Sequence, residues 1–82
     1  MLRPYDSMQT LDTLEAGDRA EILEIGGEAD TVERLMEMGV VAGTQIQVLK
    51  FAPLGDPLEI EIRGYHLSLR RTEAAEISVR KI

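Results

Sequence analysis

The chain has 82 residues, of which 44% are hydrophobic and 29% charged, so it can bury one core as a single domain over residues 1–82. The absence of cysteine excludes disulfides and thiolate chemistry, and the net charge of −6 disfavours nucleic acid as a partner because phosphates attract basic side chains. No apolar run reaches the roughly 18 residues of a membrane span, and the start of the chain lacks a secretory pattern, so we expect a cytoplasmic protein.

The first predicted elements are a turn and a strand. Glu15–Asp18 has the composition of a turn, and Arg19–Ile25 follows as a strand rich in apolar residues. Ile22 and Leu23 are adjacent, so the alternation is imperfect and both faces of this strand could be covered. Two consecutive glycines then end the strand.

A helix of about two turns follows. Asp30 is a candidate N-cap, with Glu33 three positions later as in a capping box, and Gly39 suits the position just after a helix. A helix this short is unstable alone, so its apolar residues must pack on the rest of the protein. At helical spacing, the predicted core stripe consists of Val32, Leu35 and Met36.

The second half of the chain alternates between strands and turns. Pro53 and Pro57 bound a loop, Gly64 permits a tight turn, and Arg71–Ala75 predicts a turn or a single helical loop. The predicted strands are Thr44–Phe51, Leu58–Arg63, Tyr65–Arg70 and Glu76–Ile82.

About five short strands with one inserted helix indicate a mainly β protein. Short strands at close spacing are typical of a small barrel or sandwich. A barrel fits better, because closure protects sheet edges that a domain of this size could not otherwise cover.

Three segments together resemble the FeoA family, the small ferrous iron transport protein A. Arg34–Thr44 resembles its helix-end signature, Ala52–Pro57 with the alternating strand after it resembles the second, and Tyr65–Arg71 resembles the third. They follow in the family's order over most of the chain. Two positions depart from its pattern, since Ala42 stands where proline is frequent and Met38 where leucine is usual.

The resemblance implies an SH3-like barrel that assists FeoB, the membrane ferrous-iron transporter with a cytosolic GTPase domain. It therefore implies an adaptor that binds FeoB by protein–protein contacts and is not an enzyme. No hydrolase triad, phosphate loop or metal-hydrolase motif is present in the sequence, which agrees with this reading.

Metal ligands are sparse in the sequence. Ferrous iron is usually held by converging imidazoles and carboxylates, and the one histidine, His66, is predicted to point outward from a strand. We therefore predict no cofactor and no dedicated iron site. Weak transition-metal binding through His66 or surface carboxylates stays open.

The predicted partner-binding residues lie in three places. Several apolar side chains crowd the end of the helix, where they cannot all follow one stripe, and methionine adapts readily to a binding groove. A leucine stands at the tip of the proline-bounded loop, and an arginine ends the Tyr65–Arg70 strand. The candidates are Leu35, Met38, Val40, Val41, Leu54 and Arg70.

Other functions remain open at this point. A free-standing SH3-like regulatory domain of the iron-dependent repressor type would bind a peptide or a partner domain instead of a transporter. A hydrolase would require a deep pocket with paired ionisable groups. Exposed sheet edges could also accept a partner strand or pair two copies into a homodimer.

Overall fold

Six antiparallel strands form one sheet in the computed structural model, which describes residues 8–82. A 3-10 turn at Leu11–Thr13 and two α-helices, α1 (Ala29–Glu37) and α2 (Arg71–Ala74), connect them. The strands are β1 (Met8–Thr10), β2 (Arg19–Ile25), β3 (Gln45–Phe51), β4 (Leu58–Ile62), β5 (Tyr65–Leu69) and β6 (Ile77–Lys81). The four predicted strands of the second half, and the helical turn between the last two of them, are confirmed within one or two residues.

The strands are hydrogen-bonded in the order β1-β6-β2-β3-β4-β5. The structure is therefore mainly β, with six strands where the sequence predicted about five. The additional strand is β1, which is three residues long and pairs with β6. Strands β1 and β5 stand at the two ends of the order.

A β-bulge explains the imperfect alternation of β2. Ile22 lies opposite Val79, and the register then shifts so that Ile25 lies opposite the buried Ile77. Since paired residues point to the same face, the bulge at Leu23 returns Ile25 to the core side of the sheet.

Strand β3 contains a second bulge with the same effect. Val48 lies opposite Ile60, the register shifts, and Phe51 then lies opposite the buried Leu58. Phe51 therefore faces the core side, although strict alternation would have placed it on the same face as Gln45 and Gln47. Such bulges also bend a strand, which helps a small sheet curve around its own core.

The core is aliphatic and contiguous. It receives side chains from every strand except β1, from both α-helices and from the segments between them. Its buried members are Leu11, Leu14, Ala20, Ile22, Leu35, Val40, Ile46, Val48, Leu58, Ile60, Ile62, Leu69, Ala74, Ile77 and Val79.

Helix α1 differs from its prediction at its start and along its outer face. It begins at Ala29 with Glu28 at the cap position, so the predicted N-cap, Asp30, lies inside the first turn. Leu35 is the one buried residue of this helix, and Met36, predicted in the core stripe, is 51% exposed.

The end of α1 is a Schellman motif, which confirms the predicted role of Gly39. The amide of Val40 donates to the carbonyl of Leu35 at 3.0 Å, and the amide of Gly39 donates to that of Met36 at 3.0 Å. Gly39 has φ of +93°, the left-handed conformation that this motif requires. The motif also brings Val40 against Leu35, and both are buried.

A two-residue turn joins β4 to β5. Arg63 and Gly64 have φ of +50° and +83°, as in the type I′ turns that suit hairpins. Tyr65, at the start of β5, is 39% exposed. Within residues 8–82, neither α-helix is long and apolar enough to cross a membrane.

Candidate functional site

The end of α1 contributes fewer contact residues than the sequence predicted. Leu35 and Val40 are 1% and 0% exposed, so their candidacy as partner contacts is wrong for this conformation: the Schellman motif directs both side chains into the core. Met38 is half-buried against the core, and Val41 is half-buried in the following turn. These two are the helix-end candidates that keep exposed surface.

The outer face of α1 is a surface that sequence reasoning missed. Ala29, Val32 and Met36 form a shallow apolar patch flanked by Glu33 and Glu37. Val32 and Met36 were assigned to the core because their spacing matches that of Leu35. The sequence spacing alone could not separate Leu35, which is buried, from Val32 and Met36, which are not.

The proline-bounded loop holds Leu54 out into solvent. Leu54 is 96% exposed, the highest value among the exposed large hydrophobic side chains. The loop is closed by two backbone hydrogen bonds, from the Gly55 amide to the Ala52 carbonyl at 2.7 Å and from the Ala52 amide to the Pro57 carbonyl at 2.9 Å. Leu54 is therefore an apolar side chain displayed on an ordered tip.

Arg71 fixes this loop to the start of α2. Its amide donates to Asp56 Oδ1 at 3.0 Å, and its guanidinium donates to the Gly55 carbonyl at 3.2 Å. The same guanidinium lies 5.7 Å from the centroid of the Phe51 ring, within cation–π range. Arg71 is a positioning residue for the loop.

A groove runs between α1, the end of β5 and α2. An ion pair between Arg34 of α1 and Glu73 of α2 connects two of its walls. Glu73 also accepts a hydrogen bond from the Arg70 amide at 2.9 Å, which fixes the start of α2. The groove is lined by Thr31, Arg34, Asp56, Pro57, Ser68, Leu69, Arg70 and Glu73.

The predicted Arg70 lies in this groove with its side chain exposed. Four ion pairs occur among residues 8–82, and they use Arg34, Lys50, Arg80 and Lys81. The remaining cations of that part of the chain, Arg19, Arg63, Arg70 and Arg71, are in none of them. The structure thus brings Arg70, the proline-bounded loop and α1 together around one groove.

Ionisable groups elsewhere on residues 8–82 are dispersed. No group of three or more His, Cys, Asp or Glu side chains converges there, and His66 is exposed on β5 as predicted. The pKa of Asp18 lies below its usual 3.8, because its carboxylate accepts a hydrogen bond from the Glu15 amide and is paired with Lys81. The Glu15 amide donates to Asp18 Oδ2 at 2.8 Å, and this hydrogen bond closes the turn before β2.

A second groove crosses the outer face of the sheet at β2, β3 and β4. Its polar lining includes Arg19, Gln45, Gln47, Glu61 and Arg63. Gln45 and Gln47 alternate along β3 with the buried Ile46 and Val48, and so lie on the outer face. The charged groups of this groove are the guanidinium groups of Arg19 and Arg63 and the carboxylate of Glu61.

Comparison with known proteins places this chain in a family. The profile of the FeoA domain matches residues 9–81. A fusion of Fe(2+) transport protein A with the Fe(2+) transporter FeoB from Porphyromonas gingivalis is 43% identical over 72 residues, covering 88% of this chain. The chain spans only 8% of that fusion protein.

Solved structures show the same fold. The solution structure of FeoA from Chlorobium tepidum is 46% identical with a TM-score of 0.85, covering 88% of this chain and 69% of that one. FeoA of Stenotrophomonas maltophilia, a procaryotic SH3 domain protein complexed with zinc, is 25% identical with a TM-score of 0.75, covering 87% and 88%. The mainly β, SH3-like architecture and the family match agree, and the chain belongs to the FeoA family, which is associated with ferrous iron transport.

Proposed function

We propose that this protein is a cytoplasmic accessory of ferrous iron transport that binds the cytosolic part of FeoB. The observation that carries the proposal is the fusion relative, in which a domain 43% identical to this chain is covalently joined to FeoB. In the fusion, the covalent link holds the FeoA domain at a high effective concentration near FeoB. A free-standing FeoA domain has no such link and needs its own affinity for FeoB. Family membership favours this function over that of a repressor-type regulatory domain.

The proposed contact surface consists of Met38, Val41, Leu54 and Arg70. Leu54 offers an apolar anchor on a fixed loop, and ordering it costs little because Arg71 already holds the loop. Arg70 offers an exposed cation beside the groove, suited to a carboxylate of the partner. The protein would act through these contacts and not as an enzyme, tuning the assembly or nucleotide turnover of FeoB.

Binding to detergent-solubilised full-length FeoB from the same organism, with and without guanine nucleotide, tests the proposal. We expect saturable binding, and we expect Leu54→Ser to weaken it by roughly fivefold or more, as removal of an interface anchor does. Ile82→Ser is the matched control, because Ile82 is also an exposed apolar side chain, at 64%. It should leave the affinity unchanged.

Arg70 and the helix end are tested in the same assay. Arg70→Glu reverses the charge at the groove and should weaken binding, with the loss decreasing as salt is raised. Met38→Gln with Val41→Gln should weaken binding without unfolding, which circular dichroism checks. Wild-type protein that does not bind FeoB under any nucleotide condition would refute the proposed function.

A further inference from the structure

Strand β5 carries an unpaired hydrogen-bonding edge, and the hairpin geometry tells which residues form it. In a two-residue turn the flanking residues, here Ile62 and Tyr65, form a hydrogen-bonded pair. Hydrogen-bonded and non-hydrogen-bonded pairs then alternate along an antiparallel ladder. His66, opposite Glu61, and Ser68, opposite Glu59, are therefore the residues whose amides and carbonyls point away from β4.

These outward groups have no partner in the described part of the chain. Apart from the β4–β5 ladder, no backbone hydrogen bond among residues 8–82 involves β5. Strand β5 ends the strand order, with no strand on its other side. Two amides and two carbonyls thus face outward in a regular row.

The β5 edge also lacks the features that normally block edge pairing. Natural edge strands are shortened, bulged, or carry lysine or proline, which keeps other strands from adding. Strand β5 pairs over five residues without a register shift and contains neither lysine nor proline. The opposite edge strand, β1, is three residues long and so is blunted by its length.

Charge and shape at β5 indicate what would add there. Arg63 precedes the strand and Arg70 follows it, and neither takes part in an ion pair among residues 8–82. Ser68 and Arg70 also line the groove whose opposite wall is α1. An extended segment along β5 would therefore lie between a strand edge and a helix, with an arginine near each end.

A second copy of this chain fits the edge poorly. An antiparallel pair of β5 strands with His66 opposite Ser68 is centred on Leu67, and this register brings Arg63 of one copy near Arg71 of the other. Like charges opposite each other destabilise a strand pair. An acidic extended segment avoids this contact between arginines, because its carboxylates can pair with them.

We propose that β5 is a strand-addition site, at which an extended segment of the partner with acidic side chains near its ends pairs with the outward groups of His66 and Ser68. The inference rests on the proposed function, in that the partner is FeoB. Main-chain hydrogen bonds supply affinity in this mode, and flanking side chains supply specificity. The segment lies in the groove between β5 and α1.

The test uses proline at an outward position. Ser68→Pro removes an amide that points away from β4, so the ladder of the hairpin stays intact, while the ring blocks an added strand. Ser68→Ala is the matched control, because it changes the same side chain and keeps the amide. With full-length FeoB, we expect Ser68→Pro to lose at least roughly tenfold in affinity, about 1.4 kcal/mol, and Ser68→Ala to bind like wild type.

A second measurement covers the case in which the proline variant fails to fold. Hydrogen exchange of the wild-type protein should show the amides of His66 and Ser68 becoming protected when FeoB is added, while Leu67, already bonded to β4, changes little. Absence of that protection, or equal affinity of wild type and a folded Ser68→Pro variant, overturns strand addition and leaves the proposed function standing. If wild type does not bind FeoB, both fall. A β5-dependent homodimer in place of FeoB binding would also overturn the inference.

Discussion

At the scale of single residues, Gly39 has a backbone conformation that disfavours any residue with a side chain. It has φ of +93°, and a Cβ there would lie 3.2 Å from Arg63 Cδ. We expect Gly39→Ala to lower the free energy of unfolding by about 1–2 kcal/mol, because a side chain is strained at positive φ. Urea denaturation at neutral pH measures the loss.

Gly43→Ala is the matched control for Gly39. Gly43 has φ of +92°, nearly the same as Gly39, but a Cβ there would meet nothing within 4 Å. Gly43→Ala should therefore report the backbone strain alone, and Gly39→Ala should cost at least as much. If both alanine variants are as stable as wild type, the positive φ values of these turns are contradicted.

Asp18 makes the free energy of unfolding depend on pH in the acidic range. The hydrogen bond from the Glu15 amide lowers the pKa of Asp18 in the folded state, and Lys81 lowers it further. The ionised carboxylate therefore contributes to the free energy of unfolding above the usual pKa of 3.8. This contribution is lost as the pH falls through the lower pKa of the folded state. Asp18→Asn should therefore reduce stability at neutral pH and flatten its fall below about pH 4. Urea midpoints from pH 7 to pH 2.5 check this; parallel curves for the two proteins would contradict it.

At the scale of elements, helix α1 is attached to the barrel by few side chains. Leu35 is 1% exposed, whereas its neighbour Met36 is 51% exposed. We expect Leu35→Ala to cost about 2–5 kcal/mol, as truncation in a core does, and Met36→Ala to stay within about 0.5 kcal/mol. Thermal denaturation compares them, and equal losses from both would contradict the placement of this helix.

The predicted elements succeed where a local pattern and the tertiary fold agree. Strand β4 alternates strictly, with Leu58, Ile60 and Ile62 buried as its sequence indicates. Gly39 was found as the end of α1 because the Schellman motif needs a residue at positive φ, which glycine supplies without strain. These signals lie within a few residues of each other, so the sequence alone contains them.

Other elements depend on distant partners and could not be predicted. Strand β1 contains only three residues, and its pairing with β6 joins segments about seventy residues apart. The bulges in β2 and β3 shift the alternation at Leu23 and Leu49, and only the register of the neighbouring strand reveals them. Asp30 is a residue type that often caps a helix, but α1 begins at Ala29 with Glu28 at the cap position. Asp30 therefore lies in the first turn.

The candidate site shows the same division. The exposure of Leu54 and Arg70 could be predicted from the sequence, because a proline-bounded tip and a strand-end arginine are exposed in most folds. Leu35 and Val40 were misassigned, because whether an apolar residue at a helix end faces the core depends on the tertiary packing of that end. The β5 edge could not be found at all without the strand order.

At the scale of the whole molecule, the core fills the sheet interior and leaves the outer surface for contacts. No polar or charged residue is buried among residues 8–82, so the polar groups of this region lie at its surface. Four of the proposed contacts lie on the loop, groove and strand at the β5 end of the strand order: Leu54, Arg70 and the outward groups of His66 and Ser68. Strands β1 and β6 stand at the other end.

The most direct test is to titrate the isotopically labelled protein with full-length FeoB and follow the amide resonances of every residue by NMR. We predict that the perturbed amides cluster on β5, the end of α1 around Met38 and Val41, the loop around Leu54 and the start of α2 at Arg70, while those of β1 and β6 stay unchanged. Perturbations confined to β1 and β6, or none at saturating FeoB, would contradict the proposed binding surface.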